Sequence, residues 1–405
     1  MMLLRLALRN VFRARARSAI TIGALFFGVT MSLLLSAFVM GAGESLVSEA
    51  IESRVGALQV HRTGYFEKRD RAPLALNLTR DPAIEAKLRA TPNVKGLTPR
   101  ILFNGLLTNG SRGTIAMITA IDSATVRDAL PKVDMYLEGQ TLEPADRNGA
   151  HVGLELNRAL DLKPGVPLML QAQGLGGRDN AMDLEPRGIL TGQNPLEGKR
   201  AVTVPLSFAQ SLLGMDGKVT EYVLALEDVT KLDETAAALR AQLGPEFEVA
   251  TWEELRPALR DARLFQRIIL GGVSFFFLII ALFGVANTLL MTVLERTREI
   301  GTLLAVGMTR SMVARLFMLE ALLQALLGTA VGMGVAMVLV SIARSGGGIT
   351  VSMGAGQGYF RMMPTLLPIV PVIVVVATCA GSVLAALSPA LRAARMRPVE
   401  ALSST

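Results

Sequence analysis

The sequence predicts an α-helical membrane protein with four transmembrane helices and a large extracytoplasmic α+β domain between the first and second. Three observations predict it. The 405 residues are 51% hydrophobic and only 19% charged, whereas soluble domains run nearer a quarter charged. The apolar residues gather into four windows, 19–41, 268–292, 313–342 and 366–391, each meeting the ~20-residue length of a spanning helix. Between the first two windows lies a long stretch, 42–265, whose short alternating runs and Gly, Pro and Asn turns read as a folded domain.

Residues 1–18 read as an interfacial amphipathic helix. Arg5, Arg9, Arg13 and Arg17 recur every four residues, with Leu4, Leu8, Val11 and Phe12 on another side. That pattern suits a helix lying on anionic headgroups. The following apolar run is longer than a signal-peptide core of roughly 7–15 residues, so it is read as a retained first span.

Lys and Arg near span ends tend to stay cytosolic. Arg5, Arg9, Arg13, Arg15 and Arg17 precede the first span, and Arg296, Arg298, Arg310 and Arg315 lie between the second and third. Arg392, Arg395 and Arg397 follow the fourth span, whereas the loop 343–365 offers only Arg344 and Arg361. Both termini, including the tail 392–405, are therefore expected in the cytosol, and the domain 42–265 outside. The net charge of +7 is explained by these flanks, without nucleic-acid binding.

Within the outer domain, ESLVSEAIESRV (44–55) prolongs the first span as a helix, and WEELRPALRDARLFQR (252–267) leads helically into the second. Strand-like runs are GALQVHRTGYF, ILFNGLLT, TIAMITAID, VPLMLQAQ, RAVTVPL, TEYVLALED and EFEVATW. Asp228 is the expected N-cap of a helix carrying Val229, Leu232, Ala236, Leu239 and Leu243 at helical spacing, ended by Gly244. Residues 42–125 and 201–265 form the expected membrane-proximal α/β part. Residues 126–200 form an inserted β-rich subdomain, with a long mobile loop within 171–200. The single cysteine, Cys379, falls in the fourth span, so the outer domain must hold together without a disulfide.

Few motifs carry chemistry. GQNPLEGKR (192–200) resembles a phosphate-binding loop but has one residue too many and Arg200 where Ser or Thr is needed. GAGQG (354–358) follows no convincing strand. The two histidines, His61 and His151, have no cysteine or acid cluster at ligand spacing. The run EKRDR (67–71) reads as a solvated face. No nucleophile, base and orienter set emerges, so no catalytic, cofactor-binding or metal site is expected. Glu320 is the one acid in a span. It is either a functional intramembrane group such as a proton relay, or an acid near the cytosolic interface paired with Arg315 or with an arginine of 295–310. Arg315 lies five residues back, about 7.5 Å along a helix, and the pairing is the preferred reading. Gly328, Gly332 and Gly334 provide small residues for close helix approach in the third span.

The segment 295–310, ERTREIGTLLAVGMTR, is a charged amphipathic helix between the second and third windows. With LALRNVFRARARSAITIGALFFGV (6–29) and SPALRAARMRPVEAL (388–402), it resembles the permeases of type VII ABC transporters, the family of MacB, LolC, LolE and FtsX. In layout the chain is most similar to the lipoprotein-releasing LolC and LolE permeases. The resemblance implies that 295–310 is a coupling helix docking on an ATPase, carried by Glu295, Arg296, Arg298, Glu299, Ile300, Gly301, Leu303, Leu304, Ala305 and Gly307. In it, Arg296, Arg298 and Glu299 make polar contacts and Ile300, Leu303 and Leu304 fill the ATPase groove, with Arg315 and Glu320 in support. Met308 stands where the family often has a small residue.

The same resemblance implies a non-catalytic subunit of the bacterial inner membrane. It would pair with a second permease, identical or homologous, and two cytosolic ATPase subunits that hold the ATP and Mg²⁺. The expected action is mechanotransmission to the outer domain. The expected cargo is a lipoprotein or other amphiphile passed to a periplasmic carrier or adaptor. MacB-like tripartite export and FtsX-like regulation of a cell-wall hydrolase remain the alternatives.

Overall fold

A computed structural model describes residues 2–13, 15–135, 137–162, 168–191, 198–352 and 359–396. The GAGQG segment, most of the phosphate-loop-like stretch 192–200 and the tail beyond 396 lie outside the described residues. The chain divides into two compact units. One comprises 46–261 with 351–360, and the other comprises residues up to 45 together with 262–350 and those from 361 onward.

The helical unit is built on α1 (Met2–Arg13), α2 (Arg15–Ala50), α3 (Pro257–Glu295), α4 (Thr297–Ala305), α5 (Arg310–Ser345) and α6 (Ile369–Ala394). Helices α2, α3, α5 and α6 are each long and apolar enough to cross a membrane, by length and composition. Their packing follows from small residues. A Cβ on Gly332 would lie 2.8 Å from the Phe26 carbonyl, and one on Gly328 would lie 2.7 Å from Leu25 Cβ. Only glycine lets α5 come this close to α2. Thr30 Oγ1 donates to the Gly332 carbonyl at 3.2 Å across the same seam. Gly334, by contrast, faces open space.

Among its described residues the inter-span domain is built on a ten-stranded sheet: β1 (Leu58–Arg62), β2 (Val94–Thr108), β3 (Gly113–Ile121), β4 (Leu137–Gly139), β5 (Gly149–Gly153), β6 (Leu168–Gln173), β7 (Asp179–Leu190), β8 (Ala201–Pro205), β9 (Glu221–Leu226) and β10 (Phe247–Thr251). Their order is β10-β1-β9-β2-β3-β8-β5-β7-β4, and β6 pairs with both β2 and β7. Strands β2, β3, β8, β5, β7 and β6 thereby close a hydrogen-bonded ring. Among the described residues, only β3–β8 and β5–β7 pair in parallel.

Alternation decides which side chains go inward. Ile101, Phe103 and Leu107 of β2 and Ala116, Ile118 and Ala120 of β3 are buried, whereas Leu106, Ile115 and Met117 are exposed. The helices Leu206–Leu213 and Leu232–Gln242 bury Phe208, Leu212, Ala236 and Leu239 in the same core. Asp228 caps the second as its position suggests, its carboxylate accepting from the Thr230 N–H at 2.9 Å, although one 3₁₀ turn, Val229–Lys231, precedes the α-helix.

Two sequence expectations change. The stretch 126–200 is β-rich, but its strands continue the same sheet rather than standing apart from it. Within 171–200, a hairpin of β6 and β7 replaces most of the expected loop, closed by a turn in which the Gly174 N–H donates to the Arg178 carbonyl at 2.8 Å. Gly177, at φ +77°, supplies the turn's left-handed residue. Pro186 is accommodated because the β5–β7 register shifts between Ala150 and His151.

Candidate functional site

The segment 295–310 folds as its residues dictate. Helix α3 ends at Glu295, Arg296 leaves helical geometry at φ −101° and ψ 22°, and α4 begins at Thr297. At the far end the Gly307 N–H donates to the Leu304 carbonyl at 3.1 Å and the Met308 N–H to the Leu303 carbonyl at 3.0 Å. This paired closure requires a left-handed residue, and Gly307 sits at φ +100°. Thr309 then caps α5, its hydroxyl accepting from the Met312 N–H at 3.4 Å.

One face of α4 is consumed internally. Ile300 is 2% exposed and packs with Val293, Val313, Ala314, Phe317, Ala390 and Ala393, while Leu304 and Met308 lie against that cluster. Gly301 is also buried. Ile300 therefore does not reach outward to fill a partner's groove as expected. It anchors α4 to the ends of α3, α5 and α6, because an isoleucine at the meeting of three helix ends is removed from water most completely there. The outward face carries Arg298, Glu299, Thr302, Ala305 and Val306, with Leu303 half-buried. Val306 is 84% exposed. Sequence reasoning passed it over, although its place just before the turning glycine marks it as the tip.

The acids and arginines also pair internally. Arg296 donates from Nε to Glu299 at 2.7 Å and from Nη2 to Asn10 Oδ1 at 3.2 Å, so within the chain it turns toward α1. Arg13 meets Glu299 at 3.5 Å and Arg17 pairs with Glu295. Two of the five N-terminal arginines thus reach acids of the segment 295–310, while Arg5 and Arg9 are exposed. Exposed Leu4, Leu8 and Phe12 leave α1 an unburied apolar stripe, and Ala7, Asn10 and Val11 form its buried face.

Glu320 is buried on α5, whereas Arg315 is exposed and makes no ion pair with it. Five residues turn an α-helix by roughly 140°, so the two side chains face different ways. The groups that reach Glu320 are Arg296, through its charge, and Asn10, through its amide. Its Oε2 has no partner among the described residues. Asn10, unremarked in the sequence, thus lies between the buried acid and Arg296. A contact spanning 286 residues leaves no local signal.

Four helices long and apolar enough to cross a membrane, with a sheet domain between the first two and a charged helix between the second and third in sequence, coincide with matches to two permease family models. Residues 18–242 match the MacB-like periplasmic core domain and residues 271–398 match the FtsX-like permease C-terminal domain. The chain belongs to the type VII ABC transporter permease family. It is 26% identical to the macrolide export ATP-binding/permease protein MacB of Nitrobacter winogradskyi, over 98% of this chain and 60% of that protein. A second MacB, from Hyphomonas neptunium, is likewise matched over only 60% of its length. The lipoprotein-releasing system transmembrane protein LolE of Haemophilus influenzae is 24% identical over 79% of this chain and 80% of its own. The periplasmic region of MacB from Actinobacillus actinomycetemcomitans is similar at 13% identity and a TM-score of 0.35, covering 53% of this chain and 95% of that one.

Proposed function

We propose that this chain is the permease of a bacterial inner-membrane ABC transporter, with both termini cytosolic, that turns ATP hydrolysis by two cytosolic ATPase subunits into movement of its inter-span domain. The observation carrying this reading is the division of α4 into a face buried through Ile300 and an outward face of Arg298, Glu299 and Val306. A helix anchored on one side and polar on the other can receive a push and pass it to the spans. The long helices α2 and α3, which lead from the spans to either end of the inter-span domain in sequence, are the proposed levers.

The cargo we propose is a lipoprotein or other amphiphile released toward a periplasmic carrier. Supporting it, an apolar cavity of about 240 Å³ opens between α2, α3 and α6, lined by residues such as Val29, Phe275, Leu278 and Val374. A hydrocarbon chain gains free energy in such a lining at roughly 25 cal/mol per Å² buried. The similarity to LolE over 79% of this chain points the same way. MacB-like export is the second reading, favoured by the match over 18–242. Purifying the full chain with its neighbours and identifying bound proteins and lipids by mass spectrometry tests both. An ATPase with an acylated protein is expected. An ATPase with an adaptor and channel selects export, and recovery with no ATPase contradicts the reading.

A further inference from the structure

Helix α1 presents two faces of different chemistry. Ala7, Asn10 and Val11 are buried, and α1 packs along α5. The exposed sector is itself divided. At about 100° per residue, Leu4, Leu8, Phe12, Arg5 and Arg9 fall within roughly 140° of one another around the helix. Leu4, Leu8 and Phe12 are 45%, 38% and 64% exposed, and Arg5 and Arg9 stand beside them. These two arginines are exposed and pair with no acid among the described residues. The sequence has no Asp or Glu before Glu44, so α1 supplies nothing to offset their charge.

The place of α1 says what covers this face. It ends at Arg13, and α2, the first helix long and apolar enough to cross a membrane, begins at Arg15. Two residues of chain reach about 7 Å. Joined this closely to one span and packed against another, α1 has a bilayer surface as its nearest neighbour. An apolar stripe bordered by unpaired arginines is complementary to acyl chains bordered by anionic headgroups.

The other edge of α1 holds α4. Arg13, about 40° further round than Arg9, meets Glu299 at 3.5 Å, and Arg296 donates to Asn10 Oδ1 at 3.2 Å. Arg17 pairs with Glu295 just beyond. The Arg13 and Glu299 side chains are 69% and 45% exposed, so water screens this pair and it is weak by itself. The contacts of Asn10 and Arg13 form together only while α1 keeps its seat on α5. Whatever fixes α1 therefore fixes the start of α4.

We propose that anionic phospholipid headgroups bind Arg5 and Arg9 and, by fixing α1, hold α4 in place. Arginine suits the task, because its guanidinium offers paired N–H donors to a phosphate and its stem can lie beside Leu4, Leu8 and Phe12. An anionic leaflet favours each nearby basic residue by about fivefold. The inference rests on α2 and α5 lying in a membrane, and needs neither the ATPase nor the cargo proposed above.

Amide hydrogen exchange of the full chain, one chain per nanodisc, tests it. Discs of phosphatidylcholine alone are compared with discs that also contain phosphatidylglycerol. Phosphatidylglycerol should slow exchange in α1 by about fivefold for each arginine engaged, and exchange in α4 should slow with it. Added salt should reduce both effects. Arg5→Gln/Arg9→Gln alters exposed positions, and an unchanged melting temperature in phosphatidylcholine verifies that it folds. It should lose the response in both helices, whereas Arg5→Lys/Arg9→Lys should keep it. Equal α1 exchange in the two kinds of disc, a response retained by the folded glutamine variant, or unchanged α4 exchange where α1 slows would each overturn the proposal. Protection of α1 that appears only in discs holding two chains would assign the face to a second copy, and would overturn it as well.

Discussion

Glu221 sits on β9 with its side chain fully removed from solvent, between Arg100 and His61 Nε2, the latter at 3.3 Å. His61 stacks on Tyr65 with ring centroids 4.9 Å apart. Burial by itself would raise the carboxyl pKa, but the Arg100 charge and the His61 contact outweigh it and hold Glu221 at about 2. The folded value is thus depressed below the unfolded one, about 4.3. Its contribution to stability is present above that unfolded value and is lost as pH falls toward 2. Glu221→Gln should cost about 3–5 kcal/mol at neutral pH, since it strands a buried cation, and should flatten the acid dependence. Unfolding followed through Trp252, the single tryptophan and itself buried, reads both. A variant as acid-sensitive as the parent would contradict this account. A second residue contrast belongs to α4. Ile300→Ala should lower stability by about 2–5 kcal/mol, and Val306→Ser should stay within about 0.5 kcal/mol while weakening ATPase co-purification. Equal melting temperatures for the two variants would sink the assigned faces.

Among the elements, the seam between α2 and α5 depends on glycine. Gly332→Leu must push Phe26 away and should cost about 1–3 kcal/mol, whereas Gly334→Leu, pointing into open space, should leave the melting temperature unchanged. Indistinguishable effects would refute the seam. Much at this scale was legible in sequence. Apolar windows located the spans, Asp228 located its helix, and alternation located β2, β3, β8 and β9. Strand β6 was legible in VPLMLQAQ, but its hairpin partner β7 was not, because Asn180, Pro186 and Gly188 break the alternation, and the shifted register that accommodates Pro186 is a tertiary fact. Nor could α4 show which face it buries, since an apolar stripe fits a partner's groove or the chain's own core equally well. The arginines of α1 present the same ambiguity. Periodicity reads as a membrane surface, yet Arg13 and Arg17 engage Glu299 and Glu295.

At the scale of the whole molecule, the family follows from 18–242 and 271–398, and the proposed function turns on α4 as the input from an ATPase. The cargo was not legible, because an apolar cavity accepts any hydrocarbon chain of the right girth. The ATPase rate of the co-purified complex tests the central claim most directly, with Arg298→Glu and Glu299→Arg introduced together and Ile300 left in place. The account predicts that the partner is lost, or that its hydrolysis no longer responds to the permease, while the permease melts as before. Unchanged co-purification and unchanged coupled hydrolysis would contradict it.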